Sequence, residues 1–269
     1  MPPTNPEILS VEEALTRFHD RWAGTSAEVF GRGRLDDGRT SYAWLTEPLR
    51  RGPVLDLACG DGAALQLLAD RGLPAVGIDN NAAELAAAAE RGLPGVELVQ
   101  GDLRELPFPD ARFEAVICHM ALMLVPGPER VAAEIARVLA PGGVLRVVLN
   151  RRPRESAPAV ADYLKGLRAI TAEHGPTIDY PTTTWDAELA RALLPGWKVD
   201  AREMILRTAL PVEEAGHFLT VSYYSSGLLD EAGSAALAPV IRDVVEAHAV
   251  DGVLHWELPL LGLEARKPF

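Results

Sequence analysis

Two cysteines, Cys59 and Cys118, are all that the 269 residues contain. So few exclude a disulfide framework and point to a reducing compartment. Long apolar runs are missing as well: none approaches the roughly 18 residues that a membrane-spanning helix requires. The opening Met1-Pro2-Pro3-Thr4-Asn5-Pro6 has neither a basic stretch nor an apolar one, so no secretory signal and a cytoplasmic location are expected. Positive charge is in deficit. A net charge of −12 repels phosphate backbones and sets nucleic acid aside as a partner, leaving an acidic solvated surface as the simplest account. His19, His174, His217, His248 and His255 show no ligand spacing, so no metal is expected. No internal repeat or low-complexity tract interrupts the chain. What is there is ordinary, 48% hydrophobic and 24% charged residues, at a length that one large domain accommodates.

The most informative stretch is Val54-Leu55-Asp56-Leu57-Ala58-Cys59-Gly60-Asp61-Gly62. Val54 to Leu57 reads as a short buried strand after Gly52-Pro53, followed by a small-residue turn and a helix from Ala63 to Ala69. This is the start of a βα unit, with its turn at the carboxyl end of the strand where open α/β sheets bind ligands. Gly60 and Gly62 let the backbone bend sharply and a ligand come close, and the new helix points unpaired N–H groups at that space. A phosphate-binding loop would continue Gly-Lys-Ser/Thr, and none follows Gly62. A dinucleotide fingerprint would place a third glycine where Leu65 stands. What remains is an acid inside the strand, Asp56, ahead of an Ala/Gly turn.

That turn resembles motif I of the class I S-adenosylmethionine (SAM) methyltransferases, with Ala58 in place of the family's usual first glycine. The resemblance continues through Val76-Gly77-Ile78-Asp79, Val96 to Leu103, Leu106-Pro107-Phe108-Pro109-Asp110, Phe113 to Ile117 and Val138-Leu139-Ala140-Pro141-Gly142-Gly143. It covers about residues 45–150 and matches the branch of small-molecule enzymes that the methyltransferase type 11 group represents. Asp79 ends a second strand roughly 20 residues past the turn, where a carboxylate can take hydrogen bonds from both ribose hydroxyls of a nucleoside.

The resemblance implies an α/β, Rossmann-like SAM-binding fold. Its seven-stranded, mostly parallel sheet has order 3-2-1-4-5-7-6 and helices on both faces. It also implies a helical cap over residues 1–50, a SAM-binding domain over 51–269 and a lid insertion near 151–195. The implied cofactor site has Asp79 and Asn80 at the ribose, Asp102 and Leu103 at the adenine, and Ala58, Gly60 and Cys118 along the wall. Asp56 would orient the methionine ammonium, or cap the turn's own N–H groups, and Tyr42 could reach the carboxylate. Methyl transfer is an in-line displacement, and alignment of the partners can supply on the order of 7–11 kcal/mol. A cradle therefore matters more than an acid or base. His119 is the candidate base; a lone histidine at a strand end is more often a structural hydrogen-bonder. The Asn-Pro-Pro-Tyr of amide and base methylases is absent after the fourth strand, and Met123 and Leu124 stand where related chains often carry histidine.

Outside the motifs, apolar spacing predicts a helix over Ile8 to Trp22, with Ser10 and Glu13 as a capping box. Residues 31–38 read as a mobile glycine-rich loop, and 24–40 as one half of a gate whose other half is 151–185. Val212 to Leu229 reads as one helix. Lys198 to Thr208 reads as an edge strand and Val253 to Ala265 as the last, antiparallel strand. Arg151-Arg152-Pro153-Arg154 reads as a solvated turn. Tyr180, Trp185, Tyr223 and Tyr224 lie where this family builds its acceptor pocket, and suggest a small, partly apolar or aromatic methyl acceptor. The expected products are the methylated acceptor and S-adenosylhomocysteine. Three rivals stand beside this reading. One is a SAM-binding protein of the same fold that catalyses a cyclisation. A nicotinamide-dependent oxidoreductase is disfavoured by Leu65 and the acidic Asp102 turn. The third is a pure binding module.

Overall fold

The computed structural model describes residues 7–151, 158–183 and 185–269. Arg152, Pro153 and Arg154 of the expected basic turn lie outside the described residues; Arg151 is exposed. The main sheet contains β1 (Val54–Leu57), β2 (Ala75–Asp79), β3 (Val96–Gln100), β4 (Phe113–His119), β5 (Leu139–Asn150), β6 (Lys198–Pro211) and β7 (Val253–Arg266). These seven run 3-2-1-4-5-7-6, parallel from β3 to β5, with β7 inserted antiparallel between β5 and β6. The expected order holds along this path, but the strand count does not. An eighth, two-residue strand, Ala249–Val250, folds back onto Val253 and Leu254 through a turn at Asp251-Gly252. A separate parallel pair joins Ile8–Ser10 to Thr177–Asp179 and so ties the amino-terminal segment to the region after residue 158.

Eleven α-helices surround the sheet among the described residues: α1 (Val11–Trp22), α2 (Thr25–Arg32), α3 (Ser41–Thr46), α4 (Ala63–Ala69), α5 (Ala82–Glu90), α6 (Pro128–Val138), α7 (Pro158–His174), α8 (Ala187–Leu193), α9 (Ala215–Val221), α10 (Tyr224–Gly227) and α11 (Glu231–His248). Burial follows the period-two alternation of the strands. Val54, Ala115 and Ile117 face Leu65, Leu68 and Tyr42 on one side. Leu55, Leu57, Val116 and Cys118 face Val131, Ile135 and Val138 of α6 on the other. The far half of the sheet, with Leu206, Leu210, Trp256 and Leu260, is covered by α7, α9 and α11. Gly77 allows the close approach of α4, since a Cβ there would lie 2.6 Å from Leu65 Cδ1 and 2.8 Å from Cys59 Sγ.

Two expectations about the elements change. Residues 31–38 do not form a free loop. α2 runs to Arg32 with Val29 buried, and Arg34 exchanges backbone hydrogen bonds with Arg207 on the sheet edge. The segment from Val212 to Leu229 is two helices, broken at Ser222 and Tyr223, where Tyr223 takes an extended backbone. The Ser226 hydroxyl bonds to the carbonyls of Thr220 and Tyr223, an alternative to continued helix.

α3 is anchored on the sheet by a buried cation. The Arg146 guanidinium lies 4.2 Å from the Trp44 ring centroid, donates to the Trp44 carbonyl at 2.8 Å and pairs with Glu264 on β7. Burial pulls its pKa down to about 10.

Candidate functional site

The carboxyl ends of β1, β2 and β4 open into a cavity of about 1280 Å³, roofed by α1 to α3 and by α10. The turn after β1 forms its floor. Ala58 (φ 51°), Gly60 (φ 53°) and Gly62 (φ 81°) all adopt the left-handed region. That conformation costs an L-residue roughly 1–2 kcal/mol, so Ala58 carries strain that glycine would not. Met120, next to His119 at the end of β4, is strained in the same sense (φ 58°) and also lines the cavity.

Five acids stand around the floor. Asp79 accepts the Gly60 and Asn81 N–H groups, each at 2.9 Å, which fixes the turn to the end of β2. Burial raises its pKa, against those two hydrogen bonds. Asp56 is 2% exposed, and no hydrogen bond or ion pair holds its carboxylate among the described residues. Burial pushes its pKa well above the carboxylate range, and Asp79 and Asp61 push it further. Asp61 pairs with Arg91. Glu84, in the first turn of α5, is buried; it meets His19 Nδ1 at 2.6 Å and accepts the Gly24 N–H at 3.3 Å. Asp102 is more open and is held by Arg104, which also pairs with Glu12 of α1.

These features fit a bound SAM. A buried carboxylate without a partner suits an ammonium, Asp79 keeps lone pairs free beyond its two backbone bonds, and the turn presents no bulky side chain to the ligand.

The structure brings most of the expected residues to one cavity: Tyr42, Asp56, Ala58, Gly60, Asp79, Asn80, Asp102, Leu103 and His119, with Tyr180, Trp185, Tyr223 and Tyr224. Cys118 is the exception. Alternation along β4 turns it to the opposite face, fully buried against the α6 layer, and burial lifts its thiol to about 12. The expected cofactor contact from Cys118 is therefore corrected. Cys59 is the thiol at the cavity, and its pKa is also raised by burial.

His119 is partly buried. Its ring stacks on Tyr42 at 4.1 Å and meets the Phe30 edge at 5.0 Å, and its Nε2 lies 2.8 Å from Ser41 Oγ. Desolvation lowers its pKa to about 3. Tyr224 packs edge-on against Phe18 and lies near His19, while Tyr223 leans on Tyr163. Trp185 is packed into the α6–α8 layer with one edge at the cavity, and Tyr180 is 44% exposed. Sequence reasoning did not find His19, Glu84, Phe30 or Arg168, all of which line the cavity. Glu84 occupies the capping-box position after Asn81, a local signal, yet its carboxylate serves α1 instead.

A methyltransferase-domain family matches residues 55–147. A phosphatidylethanolamine N-methyltransferase of Cereibacter sphaeroides is 36% identical over 154 residues, 55% of this chain and 73% of that protein. A trans-aconitate 2-methyltransferase of Azoarcus sp. (strain BH72) is 30% identical over 169 residues, 59% of this chain and 61% of that protein, so the chain spans less than two thirds of this second relative. Among solved structures, the cyclase SpnF shares the fold over 98% of this chain and 99% of its own, with a TM-score of 0.59 at 20% identity.

Proposed function

The chain belongs to the class I SAM-dependent methyltransferases, enzymes of small-molecule methylation, and from that premise we propose how its own residues divide the work. Asp79 and Asn80 hold the cofactor ribose. Asp102 and Leu103 flank the adenine. Asp56, with Tyr42, receives the methionine end along the Ala58–Gly60 backbone. When bound, SAM supplies a methyl group on a sulfonium and leaves as S-adenosylhomocysteine. Residues 1–50 act as a cap and about 151–195 as a lid, and the acceptor sits beneath them against Tyr180, Trp185, Tyr223 and Tyr224.

His119 serves as a wall that orients Tyr42 and excludes water. A neutral imidazole desolvated to this degree is a poor proton acceptor near pH 7, so alignment rather than base catalysis carries the rate. The observation that carries this reading is the buried, unpaired Asp56 beside the strained turn, in one cavity continuous with the aromatic acceptor wall.

Incubation with SAM and a panel of small acceptors tests it. S-adenosylhomocysteine should form in proportion to methylated product. Product formed without S-adenosylhomocysteine would favour the cyclisation reading instead.

A further inference from the structure

Asp56, Tyr42 and His119 all line the cavity. Neither the Asp56 carboxylate, the Tyr42 hydroxyl nor His119 Nδ1 bonds to any described residue. None of the three is sealed in the interior. The side-chain polar atoms buried without a bond are Arg146 Nε, Trp185 Nε1, the Tyr223 hydroxyl and Trp256 Nε1, among the described residues. The three open groups also share one face of the sheet. Asp56 pairs with Ile117 across β1 and β4, and strand alternation puts His119 on the same side as Ile117. Tyr42 packs in the layer that covers Ile117 and stacks on His119 at 4.1 Å. Neighbouring strands lie roughly 4.8 Å apart and each residue advances about 3.3 Å, so the Asp56 and His119 Cα atoms are on the order of 8 Å apart.

A neutral imidazole holds its proton on one nitrogen, which donates, while the other accepts. Burial lowers the pKa of His119 to about 3, so the ring is neutral at pH 7. Ser41 bears on which nitrogen holds the proton. It is wholly buried in the first turn of α3, and His119 Nε2, at 2.8 Å, is the one partner of its hydroxyl among the described residues. With the proton on Nε2, the hydroxyl hydrogen would be buried with no acceptor, a costly arrangement. With the hydroxyl donating to Nε2, nothing at Ser41 is left unmet, and the ring's own N–H is on the open Nδ1.

We propose that Ser41 holds His119 in its Nδ1–H form, and that this N–H and the Tyr42 hydroxyl bind the carboxylate of the cofactor's methionine end while Asp56 takes its ammonium. An amino-acid head group carries one acceptor and one donor side by side, as the three residues require. The arginines that reach the floor acids cannot serve the carboxylate, because Arg91 is taken by Asp61 and Arg104 by Asp102 and Glu12. The proposal rests on the SAM reading of this cavity and deepens it: His119 becomes a cofactor-binding donor, and Ser41 the residue that positions it.

The test uses the full chain labelled with ¹⁵N at its six histidines, because protonated and bare ring nitrogens resonate far apart. His119 is assigned with His119→Phe, which keeps a ring against Tyr42, or, should that variant not fold, by substituting the other histidines in turn. In the free chain near pH 7 the proton should lie on Nδ1, and Ser41→Ala should let the Nε2–H form appear. S-adenosylhomocysteine should move the Nδ1 resonance saturably. Its decarboxylated analogue, which keeps the adenosine, the thioether and the ammonium, should bind more weakly and leave that resonance nearly in place. By calorimetry, His119→Phe should weaken S-adenosylhomocysteine roughly ten- to a hundred-fold, the scale of one charge-assisted hydrogen bond, and the analogue far less. A ring that only packs would weaken both ligands alike. The proposal is overturned if the proton lies on Nε2, if both ligands move the resonance equally, or if His119→Phe costs both the same. Failure of S-adenosylhomocysteine to bind the unmodified chain would instead count against the cofactor reading, and the proton's position would still decide the role of Ser41.

Discussion

Asp79 and Asp56 share a wall of the cavity but hold different things. Asp79 already accepts two backbone N–H groups, so Asp79→Ala should loosen the turn as well as remove the ribose contacts, and Asp79→Asn is the cleaner probe. We expect Asp79→Asn to weaken SAM by roughly 1.5–3 kcal/mol, measured by calorimetry; unchanged affinity would remove Asp79 from the ribose site. Asp56 carries a pH signature. Its pKa is raised in the folded chain, so its protonated form is favoured there, and the stability this confers is present at low pH and lost as pH rises. A cationic ligand needs the ionised form. SAM affinity should therefore increase as pH rises through the Asp56 titration, and Asp56→Asn should flatten that dependence. His119 has the opposite linkage. Its pKa is depressed to about 3, so its contribution is present above the ordinary imidazole value of about 6.5 and is lost as pH falls toward 3. His119→Gln should reduce the acid sensitivity of folding by up to about 1.4 kcal/mol per pH unit. It should cost turnover less than tenfold at saturating SAM; a loss of about 10²–10⁴-fold would restore His119 as a base.

At the scale of elements, the amino-terminal helices are fastened to α5 by a few partly buried polar contacts. His19 meets Glu84 across α1 and α5, Asp20 accepts from the Asn81 amide at 3.0 Å, and Gly24 donates to Glu84. Removing one partner of a hydrogen bond to a buried polar group costs roughly 1–3 kcal/mol. His19 keeps some exposure, so His19→Ala should destabilise by about 1–2 kcal/mol in urea unfolding, and Glu84→Gln, which can still accept from Gly24, by less. An equal effect from both would mean that an amide at position 84 cannot replace these hydrogen bonds. These contacts also mark the limit of what the chain discloses locally. The Ser10–Glu13 capping box forms as its spacing predicts, with both reciprocal bonds present. The central strands Val54–Leu57 and Ala75–Asp79 are equally legible, because both faces are covered and their apolar runs are nearly continuous. α2 was hidden because its order comes from afar: Phe30 packs on His119 and Arg34 bridges to Arg207. The Cys118 error was one of phase. A strand residue one place earlier points to the opposite face, and only His119 turns toward the cap.

For the whole molecule, the proposed cap and lid are joined by backbone. The Ile8–Ser10 strand hydrogen-bonds in parallel with Thr177–Asp179, so the start of α1 and the segment after α7 share a backbone ladder. α1 also packs against α10, where the Trp22 indole donates to the Gly227 carbonyl at 3.1 Å. We predict that any opening that lets SAM in carries α1, residues 177–179 and α10 together. A sulfonium donor needs protection from water and from wrong nucleophiles, which gives such a closure a chemical purpose. Hydrogen exchange with and without S-adenosylhomocysteine should show it. In the free protein, amides of residues 25–32 should exchange more slowly than those of 36–39, because Val29 is buried and Asp36 to Arg39 are not, yet faster than β1 and β4. On ligand binding, residues 8–22, 177–179 and 224–227 should gain protection in parallel and to a similar degree. Protection confined to residues 8–22, with 177–179 unchanged, would separate cap from lid and return the gate to two independent halves.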